Sequence, residues 1–389
     1  MPNLNDIVEM AEALGTKYVL VAEERCVAVR NRNAKCTKCV DACSQDAIKV
    51  GGNKLTLDPK RCVGCGACTS ACPTESLIPL QPLDEELAQA TADAVVAAEG
   101  IAVFACARIA SKRLADPQKF AEVPCLARME ESLLLSLVAH GATRVVLVDG
   151  TCATCKYHAC SPGVDAMVAS ANALLDAVGS PVAVERASAF PEELLVEYSA
   201  SVFGVSRRDF FSQARNSAKD TAKKAAMAAI EKEFGTKKPT SLRERLGIQK
   251  GSMPKFSAAR RLHALDAMDR IGAPVLPEAT SRLFGSVAID IEKCTSCSMC
   301  TTFCPTGALR KSDVEPEGED DYGSFLEFSA ADCVQCRACE DICLKRCLTV
   351  SPTVSTEELF DFEPRMIYLP EPPAKAGILG GRNKRRKKK

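Results

Sequence analysis

The stretch that decides the fold is RCVGCGACTSACP, residues 61–73, which spaces four cysteines as C-x2-C-x2-C-x3-C and ends in proline. In this spacing a tight loop wraps three thiolates around one 4Fe-4S cubane, and the fourth thiolate ligates a neighbouring cluster. The cysteines are Cys62, Cys65, Cys68 and Cys72. The stretch therefore predicts half of a two-cluster unit, whose other half must lie nearby in the chain.

That other half is KCTKCVDAC, residues 35–43, but it lacks one cysteine. Its cysteines are Cys36, Cys39 and Cys43. Asn33 stands where the first cysteine of a complete motif would be, and an amide is a poor ligand for a soft iron site. Cys26, ten residues before Cys36, is the substitute that we predict. The alternative is a 3Fe-4S cluster, with Cys26 packed as a small hydrophobic side chain.

Over about residues 26–80 the sequence resembles the bacterial two-cluster ferredoxins, and CSQDAI and CPTESL form a matching pseudo-repeat. The resemblance implies an exchange of the fourth ligand between the motifs. One cluster would then take Cys43, Cys62, Cys65 and Cys68. The other would take Cys36, Cys39 and Cys72 with one further ligand.

Composition agrees with metal ligation. The 389 residues include 22 cysteines, 3 histidines and no tryptophan. There is no apolar run of eighteen residues and no signal-peptide pattern, so we expect a cytoplasmic protein in which thiols stay reduced. Clustered cysteines then indicate iron-sulfur ligation rather than disulfides, and the few histidines disfavour mixed zinc sites.

A second two-cluster unit is predicted near the other end of the chain. CTSCSMCTTFCP and CVQCRACEDIC are both complete motifs, so we expect two more 4Fe-4S clusters. With ligand exchange, one cluster would use Cys294, Cys297, Cys300 and Cys343. The other would use Cys304, Cys333, Cys336 and Cys339. Cys347 occupies a position that usually packs beneath the cluster, so we interpret it as a buried thiol, with ligation as the alternative. The insert, residues 311–331, would shield a cluster or form a docking surface.

The middle of the chain predicts a parallel sheet. The apolar runs IAVFAC (101–106), FAEVPC (120–125), RVVLVD (144–149) and PVAVE (181–185) alternate with helical patterns such as LARMEESLLLSLVAHG. Because the carboxyl ends of parallel strands line one crevice, the cysteines that follow the first three strands should converge there. These are Cys106, Cys125 and Cys152, with Cys155 and Cys160 on the next loop.

The order VFACA, VPCLARME, LVDGTCATCKYHAC resembles the small iron-sulfur (delta) subunit of the hydrogenases that accompany heterodisulfide reductase, over about residues 101–180. The resemblance implies a 2Fe-2S cluster and a flavin-containing partner. The sequence departs from the family after the first strand, where it has CARIA, and in the spacing of Cys152, Cys155 and Cys160. Buried or regulatory thiols, and zinc held by four thiolates, stay open as alternatives. We interpret His158 as a polar loop residue.

Charge is uneven along the chain. Residues 201–270 hold sixteen Lys or Arg against seven Asp or Glu, and the tail 382–389 adds seven more basic residues. SRRDFF resembles an export signal but lies far inside the chain, and the Ala- and Lys-rich segment after it predicts a helix. The basic segments suggest electrostatic docking to partner subunits, with the tail itself disordered.

We therefore predict α+β and α/β architecture, with two ferredoxin-like dicluster domains around a parallel-sheet domain and a basic helical linker. The predicted units are residues 1–82, 83–198, 199–285, 286–352 and an extension 353–389.

No dinucleotide fingerprint, phosphate loop or Ser-His-Asp set occurs, so the sequence favours an electron-transfer subunit over a self-sufficient enzyme. Its partners would be a hydrogenase, flavoprotein or other dehydrogenase, without a membrane span. The alternatives are an oxidoreductase with its own flavin or disulfide site, and a redox-responsive regulator that binds nucleic acid through the tail.

Overall fold

The computed structural model describes residues 18–150, 152–196, 253–316 and 323–371. Within these ranges the chain forms an N-terminal unit, a middle domain and a C-terminal unit. The SRRDFF segment, the Ala- and Lys-rich helix predicted after it and the basic tail lie outside the described residues.

The N-terminal unit is built from two antiparallel strand pairs and three short helices. Strand β1 (Val19–Val21) pairs with β4 (Leu77–Pro79), and β2 (Ile48–Gly51) forms a hairpin with β3 (Lys54–Leu57). Helices lie between the strands, and each carries or follows cysteines. They are α1 (Val27–Arg30), α2 (Lys38–Asp41) and α3 (Ala67–Ala71).

The middle domain is a four-stranded parallel sheet with the strand order β6-β5-β7-β8, which confirms the parallel sheet that the apolar runs predict. Its strands are β5 (Ile101–Cys106), β6 (Ala121–Val123), β7 (Arg144–Val148) and β8 (Val184–Ala187). Nearly every residue of β5 and β7 is buried, as expected for strands that are covered on both faces. The covering helices are α4 (Asp84–Ala97), α5 (Ala107–Ala110), α6 (Glu131–Ala139) and α7 (Ser161–Ala177).

The described end of the predicted linker packs onto the rest of the protein. Helix α8 (Ala259–Ile271) lies against α6, and its Ala264 and Met268 are fully buried in the same core as the sheet. Strand β9 (Glu278–Thr280) pairs with β14 (Thr353–Ser355), which the sequence assigned to the C-terminal extension. Three-residue strands whose partners lie far away in the chain leave no local periodicity, so sequence patterns do not mark them.

The C-terminal unit repeats the plan of the N-terminal one. Strand β10 (Ser286–Ile289) pairs with β13 (Leu348–Ser351), and β11 (Leu309–Lys311) pairs with β12 (Ser324–Phe328). A further strand, β15 (Arg365–Leu369), pairs with β12, so the insert and the extension form one sheet. The helices are α9 (Met299–Phe303), α10 (Ala338–Ile342) and α11 (Thr356–Phe360). In the described ranges, none of the helices has the length and apolar character that crossing a membrane requires.

Candidate iron-sulfur sites

The three complete cysteine motifs share one backbone conformation around the second cysteine. In each, the residue before the second cysteine and the residue after it adopt left-handed conformations, which turn the loop sharply between successive thiols. These residues are Gly64 and Gly66, Ser296 and Ser298, and Gln335 and Arg337, with φ between 52° and 78°. In the shortened motif the corresponding Thr37 has a φ of −121°. The loop before Cys39 therefore follows a different path, as expected if its first ligand comes from elsewhere.

One cavity of the C-terminal unit is lined by four cysteines, which we name the inner C-terminal group. They are Cys304, Cys333, Cys336 and Cys339. The cavity wall is otherwise largely apolar, with Val287, Phe328 and Val350 among its residues. Burial raises the pKa of Cys333 to about 12, so a bare thiolate is disfavoured there. The positive charge of bound iron would offset that cost, and the donor set therefore suits an iron-sulfur cluster.

The second set of this unit, the outer C-terminal group, lies at the surface. It comprises Cys294, Cys297, Cys300 and Cys343. Cys300 interacts electrostatically with Cys294 and Cys297. Cys297 is exposed, and so is Leu344, which follows Cys343. Cys347 adds a fifth thiol, with its Sγ 3.4 Å from the Sγ of Cys343, and it also contacts Cys294. Cys347 is therefore a buried thiol in contact with two members of the group.

Cys26 lies with the cysteines of the shortened motif, and together they form the inner N-terminal group. Its members are Cys26, Cys36, Cys39 and Cys72. Cys26 is buried at the start of α1 and interacts electrostatically with Cys72 and Cys36, while Cys39 interacts with all three others. Burial raises the pKa of Cys26 to about 11. Asn33 is exposed in a turn closed by its backbone N–H, which donates to Oδ1 of Asn31 at 2.9 Å. The side-chain amide of Asn33 therefore belongs to an exposed residue rather than to the buried inner N-terminal group.

The remaining cysteines of the N-terminal unit form the outer N-terminal group. They are Cys43, Cys62, Cys65 and Cys68. Cys68 interacts electrostatically with Cys62 and Cys43, and also with Cys72 of the inner N-terminal group. The two groups of this unit are therefore neighbours. The Sγ of Cys43 accepts a 3.3 Å hydrogen bond from the backbone N–H of Ala47.

The inner groups of the two units meet at a direct contact. Cys36 and Cys336 both pack against a small apolar cluster of Val27, Ala34 and Ala338, and the two thiols interact electrostatically. The backbone N–H of Lys35 donates to Oδ2 of Asp341 at 2.7 Å across this contact. Sequence reasoning left open whether the units pack together, because no local pattern encodes a contact between residues some 300 positions apart.

In the middle domain, the five predicted cysteines line one cavity of about 420 Å³. We name them the sheet-edge group: Cys106, Cys125, Cys152, Cys155 and Cys160. Cys106 ends β5, Cys125 follows β6, and Cys152 follows β7, so the carboxyl ends of the strands meet as expected. The Sγ of Cys106 lies 3.6 Å from the carbonyl oxygen of Asp149. The ring of His158 hydrogen-bonds the carbonyl of Cys155 at 3.0 Å, which agrees with a polar loop role.

Cys160 joins this cavity to the outer N-terminal group, a feature that the sequence did not reveal. Its thiol hydrogen-bonds both Cys125 and Cys65, and these two bonds lower the pKa of Cys160 far below that of a free thiol. Its Sγ also lies 3.9 Å from the carbonyl oxygen of Ala42. The sheet-edge group and the outer N-terminal group are therefore in direct contact.

The described ranges contain no set of three or more His, Cys, Asp or Glu side chains drawn together closely enough to chelate one metal ion. A single zinc ion requires such convergence. In a cubane each thiolate binds a different iron, so the ligand sulfurs lie farther apart.

Comparison with known proteins places two stretches of the chain in one family model. The 4Fe-4S dicluster domain model matches residues 33–76 and 284–353. A ferredoxin of Saccharopolyspora erythraea is 39% identical over 57 residues, which cover 15% of this chain and 49% of that protein. A protein named ferredoxin 7Fe, from Hydrogenibacillus schlegelii, is 32% identical over 57 residues, or 15% of this chain and 67% of its own length. A ferredoxin of Rickettsia felis is 34% identical over 62 residues, or 16% of this chain and 52% of its own. The chain thus spans about half the length of several of these relatives.

Proposed function

Because the chain belongs to the ferredoxin family through its 4Fe-4S dicluster segments, residues 33–76 and 284–353, we propose that it is a multicluster electron-transfer subunit. Iron-sulfur clusters, once bound, carry single electrons at potentials set by cluster type, hydrogen bonds and exposure. The observation that carries the proposal is the unbroken succession of five cysteine groups from one surface of the protein to the middle domain.

The succession has a definite order. It begins at the outer C-terminal group, where Cys297 is exposed, and continues to the inner C-terminal group, since Cys339 interacts with Cys300. The contact of Cys336 with Cys36 leads to the inner N-terminal group. The interaction of Cys72 with Cys68 leads to the outer N-terminal group.

The last step, from Cys65 to Cys160, reaches the sheet-edge group. Each pair of neighbouring groups is thus linked by at least one pair of interacting thiols, as a relay of single electrons requires.

We assign a 4Fe-4S cluster to each of the four N- and C-terminal groups, with Cys26 as the fourth ligand of the inner N-terminal one. Burial of Cys26 beside Cys36 and Cys72 supports the assignment. The relative named ferredoxin 7Fe supports retaining the alternative of a 3Fe-4S cluster there. Because Cys347 contacts both Cys343 and Cys294, its ligation also stays an alternative to its role as a bystander.

For the sheet-edge group we propose a 2Fe-2S cluster, following the resemblance to the hydrogenase delta subunit. The partner would be a hydrogenase, flavoprotein or other dehydrogenase in the cytoplasm, where thiols stay reduced. The exposed Cys297 and the exposed Leu344, which follows Cys343, support a second exchange point at the C-terminal unit.

A second candidate function is an oxidoreductase with its own substrate or flavin site in the middle domain. The cavity of about 420 Å³ beside the sheet-edge group favours it, because this space exceeds what a small cluster needs. A bound flavin, or turnover of a disulfide by the isolated chain, would distinguish this candidate from the relay.

The test of the proposed function is the iron and acid-labile sulfide content of anaerobically purified protein, together with EPR spectra of oxidised and reduced samples. We expect about eighteen irons per chain, with a 2Fe-2S signal beside cubane signals. About fifteen irons, with a strong 3Fe-4S signal and no 2Fe-2S signal, would contradict the assignments of Cys26 and of the sheet-edge group. About eight irons would contradict the relay itself.

A further inference from the structure

Two buried arginines flank the inner C-terminal group, and some of their guanidinium nitrogens have no hydrogen-bond partner in the part of the chain that the structure describes. Arg30 and Arg261 are 5% and 2% exposed. Three of their nitrogens are buried without a hydrogen-bond acceptor among the described residues: Nε of Arg30, and Nε and Nη1 of Arg261. A buried N–H group that makes no hydrogen bond is costly, so native proteins rarely leave one unpaired.

Both side chains are held in place by their remaining nitrogens. Nη1 and Nη2 of Arg30 donate to the carbonyl oxygens of Glu24 at 3.0 Å and Pro254 at 2.8 Å. Nη2 of Arg261 donates to Oδ1 of Asp332 at 3.1 Å. The carbonyls are neutral acceptors. Carboxylates lie nearby as well, since Glu24 interacts electrostatically with Arg30, and Asp332 and Glu75 interact with Arg261.

Both arginines lie beside the same cysteine group. Arg30 interacts electrostatically with Cys304 and Cys336, and Arg261 interacts with Cys333. Two lysines add to the positive charge there. Lys255 interacts with Cys304, and Lys38 interacts with Cys36 of the inner N-terminal group as well as with Cys336. The cations come from the N-terminal unit, the middle of the chain and α8, so they converge only in the folded protein.

We propose that Arg30 and Arg261 donate their free N–H groups to the sulfurs of the cluster held by the inner C-terminal group, and thereby make it the most easily reduced cluster of the chain. Reduction adds negative charge, and buried cations stabilise that charge strongly because the surrounding dielectric is low. Hydrogen bonds to cluster sulfurs act in the same direction.

The outer C-terminal group offers the contrast. Lys293, near Cys347, is 65% exposed and paired with Asp290 at 2.5 Å, so solvent screens it. An electron that enters at the exposed Cys297 would therefore settle at the junction of the two units before it moves on. This inference rests on the ligand sets of the proposed function.

The test is an EPR-monitored redox titration of the full-length, iron-loaded chain and of its variants. Arg261→Gln and Arg30→Gln should each lower the midpoint potential of the cluster that is reduced first in the unmodified chain. The midpoint potentials of the other clusters should not change. Arg261→Lys keeps the charge but loses the fork of donors, so it should shift the same couple by less. Arg270→Gln is the matched control, because Arg270 lies on the same helix, α8, as Arg261 but its side chain is 54% exposed and paired with Asp266.

The possible outcomes separate this inference from the function on which it rests. Unshifted potentials at full iron content, or an equal shift in Arg270→Gln, would overturn the role of the two arginines while the relay stands. An unmodified chain without the expected iron would overturn the relay first. If Arg261→Gln fails to fold, the inference still requires that Arg261→Lys alters the couple that is reduced first; a shift in any other couple would refute it.

Discussion

The ion pair between Arg282 and Glu131 fastens the C-terminal unit to the middle domain, and removing Arg282 should loosen that junction selectively. Nε of Arg282 lies 2.7 Å from Oε1 of Glu131, and Nη2 lies 3.1 Å from Oε2. The Glu131 side chain is 1% exposed, whereas that of Arg282 is 28% exposed. Arg282→Gln would leave a buried carboxylate without its partner.

The expected cost follows from that burial. Breaking one side of a fully buried pair costs about 3–5 kcal/mol, and the partial exposure of Arg282 reduces this to roughly 2–4 kcal/mol. Since about 1.4 kcal/mol is a factor of ten, amides that exchange by opening of this junction should exchange some thirtyfold to several hundredfold faster. The matched control is Arg144→Gln: Arg144 and its partner Glu185 are 41% and 49% exposed, so the cost should stay below about 1 kcal/mol.

The pH dependence of stability gives a second, independent test, because the unmodified chain and the variant should respond to pH in opposite directions. Burial alone would raise the pKa of Glu131, but the Arg282 guanidinium outweighs it and holds the pKa below its usual range. In the unmodified chain this pair therefore stabilises the fold above the unfolded pKa of about 4.3, and the stabilisation is lost as the pH falls through the lower folded value. In Arg282→Gln only the hydrogen bonds from the backbone N–H of Glu131 and from Ser170 still oppose burial, so the pKa of Glu131 should rise and lowering the pH should stabilise the variant.

Anaerobic hydrogen exchange, followed by mass spectrometry at about pH 6 and pH 8, measures both effects in peptides from α6 and from residues 278–285. Exchange rates are compared after correction for the intrinsic pH dependence. This account of the junction would be refuted if amides of Arg282→Gln exchanged at the same rates as those of Arg144→Gln. It would also be refuted if the loss of stability in Arg282→Gln were the same at both pH values.

Three further substitutions test the cysteine groups and their loops. Cys26→Ser should lower the iron content by about one per chain and yield a 3Fe-4S EPR signal; unchanged iron and spectra would show that Cys26 is not a ligand. Cys347→Ala should leave the iron content unchanged, and a loss of iron would instead assign ligation to it. Gly66→Ala should lower the thermal midpoint, because Gly66 has a φ of +78° and a Cβ would lie 2.5 Å from Cδ of Arg128; the cost is about 1–3 kcal/mol. Gly163→Ala, with nothing within 4 Å, is the control, and an equal effect there would contradict the steric argument.

The sequence predicted what depends on local spacing. The three complete motifs, the parallel sheet and the convergence of Cys106, Cys125 and Cys152 all follow from periodicity and from the geometry of parallel strands. Cys26 could be nominated because the motif beside it lacks one ligand. In each case the relevant residues lie within one structural unit.

Features that arise between units could not be predicted. The electrostatic interaction of Cys36 with Cys336 and the hydrogen bond of Cys65 with Cys160 join residues that are far apart in the chain. The burial of Arg261 likewise depends on packing between units. The sequence predicts that an arginine in a basic segment is exposed to solvent, and only the packing of the folded chain shows that Arg261 is buried. The functional order of the cysteine groups is a property of the assembled chain.

The central claim is that the four N- and C-terminal cysteine groups hold clusters that are neighbours in one relay, with Cys36 and Cys336 at the junction. EPR of the fully reduced, iron-loaded chain tests it most directly, because neighbouring paramagnetic clusters broaden and split each other's signals. The account predicts a spin-coupled spectrum that integrates to about five reduced clusters, four from these groups and one from the 2Fe-2S cluster proposed for the sheet-edge group. A spectrum equal to the sum of isolated clusters, or an integral of about two, would contradict it.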